Sequence, residues 1–211
     1  MSYGPDEFQR DLGLSVPRET IQRLETYRRL LAEWSERMNL VGPKELDLFW
    51  SRHVLDSAQL LKFASEGNRW VDLGSGAGFP GLVAAAFLAE RPGASVHLVE
   101  SIGKKAKFLA AVAEEAGLPA KVFNQRIEDF GAGRGPYDVV AARALAPLPR
   151  LILYAKPILD RGAIGLFHKG ADLDAELTAA KDVLNGGAYR ADVLESLSDP
   201  RGRIVRITKA T

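Results

Sequence analysis

DLGSGAGFPG, residues 72 to 81, is the stretch on which the fold turns. It follows a short β-rich run, Trp70 to Leu73, and leads directly into a helical run that begins near Gly81. Glycines between a strand and a helix remove Cβ atoms, so backbone N–H groups and the helix N-terminus can approach a ligand closely. The spacing alone leaves the ligand open. Counted from Gly74 and Gly76, the dinucleotide fingerprint G-x-G-x-x-G would place its third glycine at Phe79; counted from Gly76 and Gly78, Gly81 satisfies it. A strand-to-helix turn without a ligand would need about one glycine.

Downstream of this turn, β-rich runs alternate with helical ones. The strands are expected at Ser95 to Val99, Ala120 to Asn124, Tyr137 to Ala142, Ala163 to His168, Tyr189 to Leu194 and Arg203 to Thr208. Helices are expected at about 81–90, 102–116, 147–158 and 172–185, each ended or followed by Gly or Pro. This alternation implies parallel strands with crossover helices, hence an α/β, doubly wound sheet. The last two strands are separated by a short run holding Asp199, Pro200 and Gly202, too short for a crossover, so they should pair antiparallel. Seven strands with an antiparallel last one suit a methyl-transfer sheet better than a dinucleotide dehydrogenase.

Upstream, residues 1–68 show no strand signal and are expected to form a helical extension packed on a core of residues 69–211. Ile21, Leu24, Tyr27, Leu31, Trp34 and Met38 recur at helical spacing behind Pro17, with Gly42 and Pro43 as the stop. A second helix is expected from Ser51 as N-cap, carrying Val54, Leu55, Ala58 and Leu61 inward and ending at Gly67 and Asn68. The residues before Ser15 are expected to be mobile.

The chain has 211 residues, 46% hydrophobic and 26% charged, enough for one substantial core but cramped for two. The apolar run Leu82 to Ala89 is too short to span a membrane, and the acids and bases before residue 20 exclude a secretory signal. With no cysteine, a thiolate nucleophile, a disulfide framework and a sulfur-based zinc site are all excluded. We expect no metal, no membrane partner, a monomer and a cytoplasmic location. The net charge of +1 is uninformative, but its distribution is not. Residues 143–169 and 201–209 are basic, whereas the segment between them is acidic, so a basic face is one reading and a solvated acidic helix another.

Further residues suggest the ligand. Glu100, at the end of the second strand, can accept hydrogen bonds from both hydroxyls of a ribose, which suits NAD and S-adenosylmethionine alike. After the third strand, Ile127 can cover an adenine face and Glu128 can read its edge, or Glu128 can simply cap a helix. No basic cluster precedes the helix at Gly81 to neutralise a pyrophosphate, which favours a cofactor without phosphate.

The chain closely resembles the RsmG (GidB) family of bacterial ribosomal-RNA small-subunit methyltransferases. NLVG (39–42), RHVLDS (52–57), the glycine stretch, LVES (98–101), KKAKFL (104–109), RIEDF (126–130), YDVVAARAL (137–145) and HKG (168–170) carry the likeness in order and spacing. Lys104-Lys105 stands where Lys-Arg is more usual. The resemblance implies a class I S-adenosylmethionine-dependent methyltransferase of Rossmann-like form, making 7-methylguanosine in 16S rRNA of the small ribosomal subunit. It places cofactor contacts at Gly74, Gly76, Phe79, Glu100, Ile127, Glu128 and Arg143. No catalytic side chain is assigned. Guanine N7 presents a lone pair and no proton, so orientation suffices and no general base is needed.

Several residues keep open alternatives. Arg143 can contact the cofactor, reach guanine O6 or phosphate, or form an ion pair. Lys169 can meet phosphate or substrate at the sheet rim, or remain solvated. Asp56 can pair with a neighbour or with Arg52 while His53 packs or faces water, or the helix can close on the cleft and bring Arg52 and His53 to RNA phosphates. Phe79 or Trp50 can stack an unstacked guanine, or sit in the core. An NAD(P)-dependent oxidoreductase and a noncatalytic RNA-binding module are the rival functions.

Overall fold

The computed structural model describes residues 3–131, 135–185 and 188–210. Among them, seven strands form one sheet: β1 (Arg69–Leu73), β2 (Ser95–Val99), β3 (Ala120–Phe123), β4 (Val139–Arg143), β5 (Ile164–Lys169), β6 (Tyr189–Glu195) and β7 (Arg203–Lys209). Their order is β3-β2-β1-β4-β5-β7-β6, and β7 runs antiparallel to both neighbours. The short turn between β6 and β7 forces that reversal, as expected. The order reverses between β1 and β4, the position where open α/β sheets bind ligands.

Alternation along each strand builds two apolar layers. Trp70, Val96, Leu98, Val139 and Leu166 face one layer; Val71, Leu73, Val99, Val140 and Phe167 face the other. The second layer is covered by α7 (Ile127–Phe130), α8 (Leu148–Leu159), α9 (Leu173–Ala179) and α10 (Lys181–Asn185). The expected helix 172–185 is interrupted at Ala180, which is fully buried. The first layer is covered by α5 (Gly81–Leu88) and α6 (Gly103–Glu115), and the amino-terminal helices pack over these in the same apolar cluster.

Those helices depart from the sequence reading. The segment before Ser15 contains α1 (Pro5–Leu12), whose Phe8 and Leu12 are wholly buried; residues 1–2 of that expectation lie outside the described residues. Helix α2 (Arg18–Ser35) ends before Gly42 and Pro43, which instead open α3 (Pro43–Asp47). Ser51 is not an N-cap but lies inside a π-turn (Phe49–Val54), which runs on into α4 (Leu55–Ala58) and a 3₁₀ turn (Gln59–Phe63). The N–H groups of Arg52 and His53 both donate to the Leu48 carbonyl, at 2.9 and 3.3 Å, which widens the turn.

The charged stretches fold back on each other. Asp192 pairs with Arg190 and Arg206, Asp199 with Arg201, and Glu176 with Lys169, so much of the basic excess is neutralised locally.

Candidate active site

At the carboxyl ends of β1, β2 and β4 the glycine turn borders a cleft of about 570 Å³. The turn is shaped by contacts that a Cβ would destroy. At Gly81 an added Cβ would lie 2.3 Å from Leu98 Cδ2 and 2.7 Å from Asp72 Oδ2, so glycine is what lets α5 cross β1 and β2 this closely. At Gly74, with φ +70°, it would lie 2.6 Å from Leu145 Cδ1.

Five amides of the turn are paired within the protein. Gly74 and Ser75 donate to the Val99 carbonyl, at 2.9 and 3.0 Å, and Gly78 donates to the Ser75 carbonyl at 2.7 Å. Gly76 donates to Glu100 Oε2 at 2.9 Å, and Gly81 to Asp72 Oδ2 at 3.0 Å. The Asp72 carboxyl therefore sits at the N-terminus of α5, the place a pyrophosphate takes in dinucleotide folds. Burial pushes its pKa up to about 7, with the Gly81 amide and Arg143 working against that shift.

Glu100 is buried, and its other oxygen accepts the Ile102 amide at 2.7 Å. Each carboxylate oxygen keeps acceptor capacity for a diol. Asn124 donates to the Glu100 carbonyl at 2.8 Å and fixes the loop after β2. Ile127 and Glu128 open α7 on the cleft's far wall, with Ile127 half-buried and Glu128 exposed. The Glu128 carboxylate is held below its ordinary pKa first by its own backbone N–H, and it accepts from the Tyr154 hydroxyl at 3.2 Å. Lys105, Arg126 and Arg150 also line this cleft, cations that an inspection of the glycine turn alone does not bring to it.

Arg143, at the end of β4, lines the first cleft and is engaged by the π-turn segment and by Phe79 of the glycine stretch. Its Nη1 lies 3.4 Å from Asp56 Oδ2, its Nη2 lies 3.1 Å from His53 Nδ1, and its guanidinium carbon is 4.8 Å from the Phe79 ring centroid. Because a guanidinium can only donate, His53 Nδ1 is the acceptor and the imidazole proton sits on Nε2, 3.0 Å from a Glu45 carboxylate oxygen. Burial first and the Arg143 charge second lower the His53 pKa to about 4, so the ring is neutral at neutral pH. Asp56 thus pairs with Arg143, outside its own segment, rather than with Arg52, and His53 is packed.

Phe79 is only 4% exposed, stacked by His53 with centroids 4.8 Å apart. Trp50 is 3% exposed and packs against Phe8 and Phe49. Both rings therefore sit in the core, one of the two readings left open.

A second cleft, about 550 Å³, shares Arg143 and Ala144 with the first and is lined also by Arg52, His53, Asp56, Lys169 and the 196–203 turn. Ala144 has φ +53°, a left-handed conformation that non-glycine residues adopt at a cost, often at functional sites. Lys169 reaches this cleft, but its Nζ is 2.5 Å from Glu176 and 3.0 Å from the Ala146 carbonyl, so it is neither solvated nor unpaired. His168 is buried with Nε2 2.8 Å from the Asp56 carbonyl, while His97 Nδ1 meets the Tyr137 hydroxyl at 2.7 Å. Sequence reasoning missed Ser196 and Ser198, which donate to Asp56 Oδ1 at 3.3 and 2.9 Å; the SLSDP stretch reads only as a turn. Among the described residues no three His, Asp or Glu side chains cluster as metal ligands, and no helix is long and apolar enough to cross a membrane.

The family model GidB, described as rRNA small subunit methyltransferase G, matches residues 20–203. A Caulobacter vibrioides protein named ribosomal RNA small subunit methyltransferase G is 47% identical over 189 residues, covering 90% of this chain and 85% of its own. A Bradyrhizobium protein of the same name is 54% identical over 164 residues, covering 77% and 74%. Among solved structures, a SAM-dependent O-methyltransferase from Thermotoga maritima superposes with a TM-score of 0.59 at 18% identity, covering 86% of this chain and 71% of that one. A variant of MtNAS in complex with S-adenosylmethionine gives 0.59 at 17% identity, covering 99% and 84%.

Proposed function

The chain belongs to the rRNA small subunit methyltransferase G family, and from that premise we infer that it transfers a methyl group from S-adenosylmethionine to N7 of a guanosine in 16S rRNA of the small ribosomal subunit. Within the structure, the observation that carries the reading is the Asp72 carboxyl bonded to the Gly81 amide at the start of α5. A pyrophosphate brought there would meet a carboxyl and a helix-terminal amide already paired with it, whereas S-adenosylmethionine brings no phosphate to that point. This disfavours the NAD(P)-dependent reading, and the built cleft disfavours a noncatalytic module.

The residues present fit such a cofactor. Glu100 offers acceptor capacity to a ribose diol, Ile127 an apolar face for adenine with Glu128 at its edge, and Gly74, Gly76 and Phe79 the floor of the turn. S-Adenosylmethionine, when bound, supplies an electrophilic methyl carbon on a sulfonium. The chain's own task is to hold the acceptor ring in line and keep donors off its N7 lone pair. Arg143, held by Asp56 and His53, orders the wall between the clefts without donating to N7. We treat residues 1–68 as a helical region packed on the 69–211 core, contributing α3 and the π-turn to this wall.

Calorimetric titration with S-adenosylmethionine and with NAD, followed by mass mapping of rRNA nucleosides, tests the reading. Binding of the former, with 7-methylguanosine appearing in 16S rRNA, is expected; NAD binding in its place would overturn it. Glu100→Gln should weaken S-adenosylmethionine binding about 10- to 100-fold, the cost of losing charge-assisted hydrogen bonds.

A further inference from the structure

We propose that the second cleft receives the acceptor nucleotide, with Arg52 and Arg203 on its flanking RNA phosphates and Asp56 as the positioning residue that joins the cleft's two walls. This rests on the methyl-transfer reading above. In-line transfer needs the acceptor nitrogen within about 3–3.5 Å of the methyl carbon, so the acceptor must enter from a space contiguous with the first cleft.

Three cavities share wall residues with that cleft, and charge separates them. The small one between α7 and α8, about 220 Å³, is largely apolar and holds no cation. The hollow beside the end of α2 shares Leu40 and Val41, and its one charged lining residue is Glu36, which repels phosphate. The second cleft shares Arg143 and Ala144, has the volume of a ligand site and gathers four arginines and Lys169 against Glu45, Asp56 and Asp199, a basic excess.

Pairing then singles out two of those arginines. Arg143 faces Asp56 and Arg201 faces Asp199. The Arg52 guanidinium makes no ion pair or hydrogen bond with any described residue, although its charge acts on the Asp199 carboxylate, and it is exposed at the rim. Arg203 Nη1 donates to the Pro200 and Gly202 carbonyls, at 2.7 Å each, which orients the guanidinium without neutralising it. One exposed guanidinium and one held in place by backbone carbonyls, both beside the cleft, suit the two phosphates that flank a splayed-out nucleotide.

The Asp56 carboxylate holds these walls together. Its Oδ2 faces Arg143 on one wall, while its Oδ1 accepts from Ser196 and Ser198 in the turn that carries Arg203. Gln59 Nε2 donates to the same Oδ1 at 2.9 Å. Asp56 therefore ties the two walls together beside Gln59, which accepts the Leu197 amide at 2.8 Å, and the β5–β7 ladder, which pairs Arg203 with Lys169.

The test is a methylation assay with S-adenosylmethionine and unmodified small-subunit rRNA, alongside calorimetry for S-adenosylmethionine alone. For Arg52→Glu combined with Arg203→Glu, KM for RNA should rise more than tenfold. Its salt dependence should flatten by roughly 0.7 per lost phosphate contact, and S-adenosylmethionine affinity should stay within about twofold. Asp56→Asn should raise the RNA KM with the same cofactor affinity. An unchanged RNA KM and salt slope in the double variant, with wild type active, overturns the acceptor cleft alone. So does an equal loss of cofactor affinity. A wild type that methylates no rRNA nucleoside overturns the acceptor cleft and the underlying reading together.

Discussion

Two segments border the shared wall of the clefts, the glycine turn after β1 and the helical segment from Pro43 to Phe63. The turn lies in a regular strand–turn–helix unit whose amides bond to near neighbours or to the adjacent strand, so sequence-local patterns specify it. The helical segment passes from α-helix through π-turn to α-helix and then 3₁₀ turn, and its polar side chains bond mainly to distant parts of the chain. One wall is set by local backbone geometry and the other by tertiary contact. A π-turn inside a helix often marks function, and here it carries both Arg52 and His53.

The comparison breaks most severely if the amino-terminal layer is a loose appendage. Phe8 is fully buried, 5.4 Å from Trp50 and 6.4 Å from Phe87 between ring centroids. Phe8→Ala should therefore cost about 3–5 kcal/mol in denaturant unfolding, and a loss below about 1 kcal/mol would show α1 to be dispensable. On the other wall, Gly81→Ala drives a Cβ into Leu98 and Asp72 and should cost about 2–3 kcal/mol despite alanine's better helix propensity. Gly42, with nothing within 4 Å of its virtual Cβ, should tolerate alanine within about 1 kcal/mol.

That asymmetry follows what the sequence made legible. Ser95–Val99 coincides with its expected strand, and the antiparallel β6–β7 pair follows from the shortness of its turn. The expected strand from Tyr137 begins instead at Val139, although the Asp138 backbone already bonds to Arg69 on one side and Ile164 on the other. Glu100 was readable as a site residue because it ends a strand beside the glycine turn. The role of Asp56 was not, because Arg143, His168 and Ser196 stand 87, 112 and 140 positions away in the chain. No periodicity records such partners; only the folded register of β4, β5 and the β6–β7 turn assembles them.

The Asp56–Arg143 pair sharpens the contrast at intermediate size. Its side chains are 15% and 20% exposed, so the charges interact with limited screening and neither is easily left alone. A stability cycle with Asp56→Asn and Arg143→Met should show coupling of about 1–2 kcal/mol. Coupling near zero would reduce the contact to mere proximity and leave the helical segment held by apolar packing and its hydrogen bonds to His168, Ser196 and Ser198.

The smallest effect is also the most discriminating, because the two walls respond to pH with opposite sign. Asp72, below the glycine turn, has its pKa raised to about 7 by burial. As pH climbs from about 4 towards 7 the unfolded carboxyl ionises while the folded one keeps its proton, so this group's contribution to stability is lost. His53, on the π-turn, has its pKa lowered to about 4 by burial and by Arg143. As pH falls from about 6.5 towards 4 the unfolded imidazole takes a proton that the folded ring refuses, so stability is lost in the other direction, and buried His168 adds to that sign. Between about pH 4 and 6.5 the contributions oppose one another, each limited to about 1.4 kcal/mol per pH unit for one proton. Asp72→Asn should therefore tilt the unfolding free energy upward with pH across this window, and His53→Gln should tilt it downward, each measured as a slope so that any uniform destabilisation cancels. If both variants kept the wild-type slope, neither wall would hold its titrating group away from water, and the closed wall between the clefts would have to be redrawn as an open one.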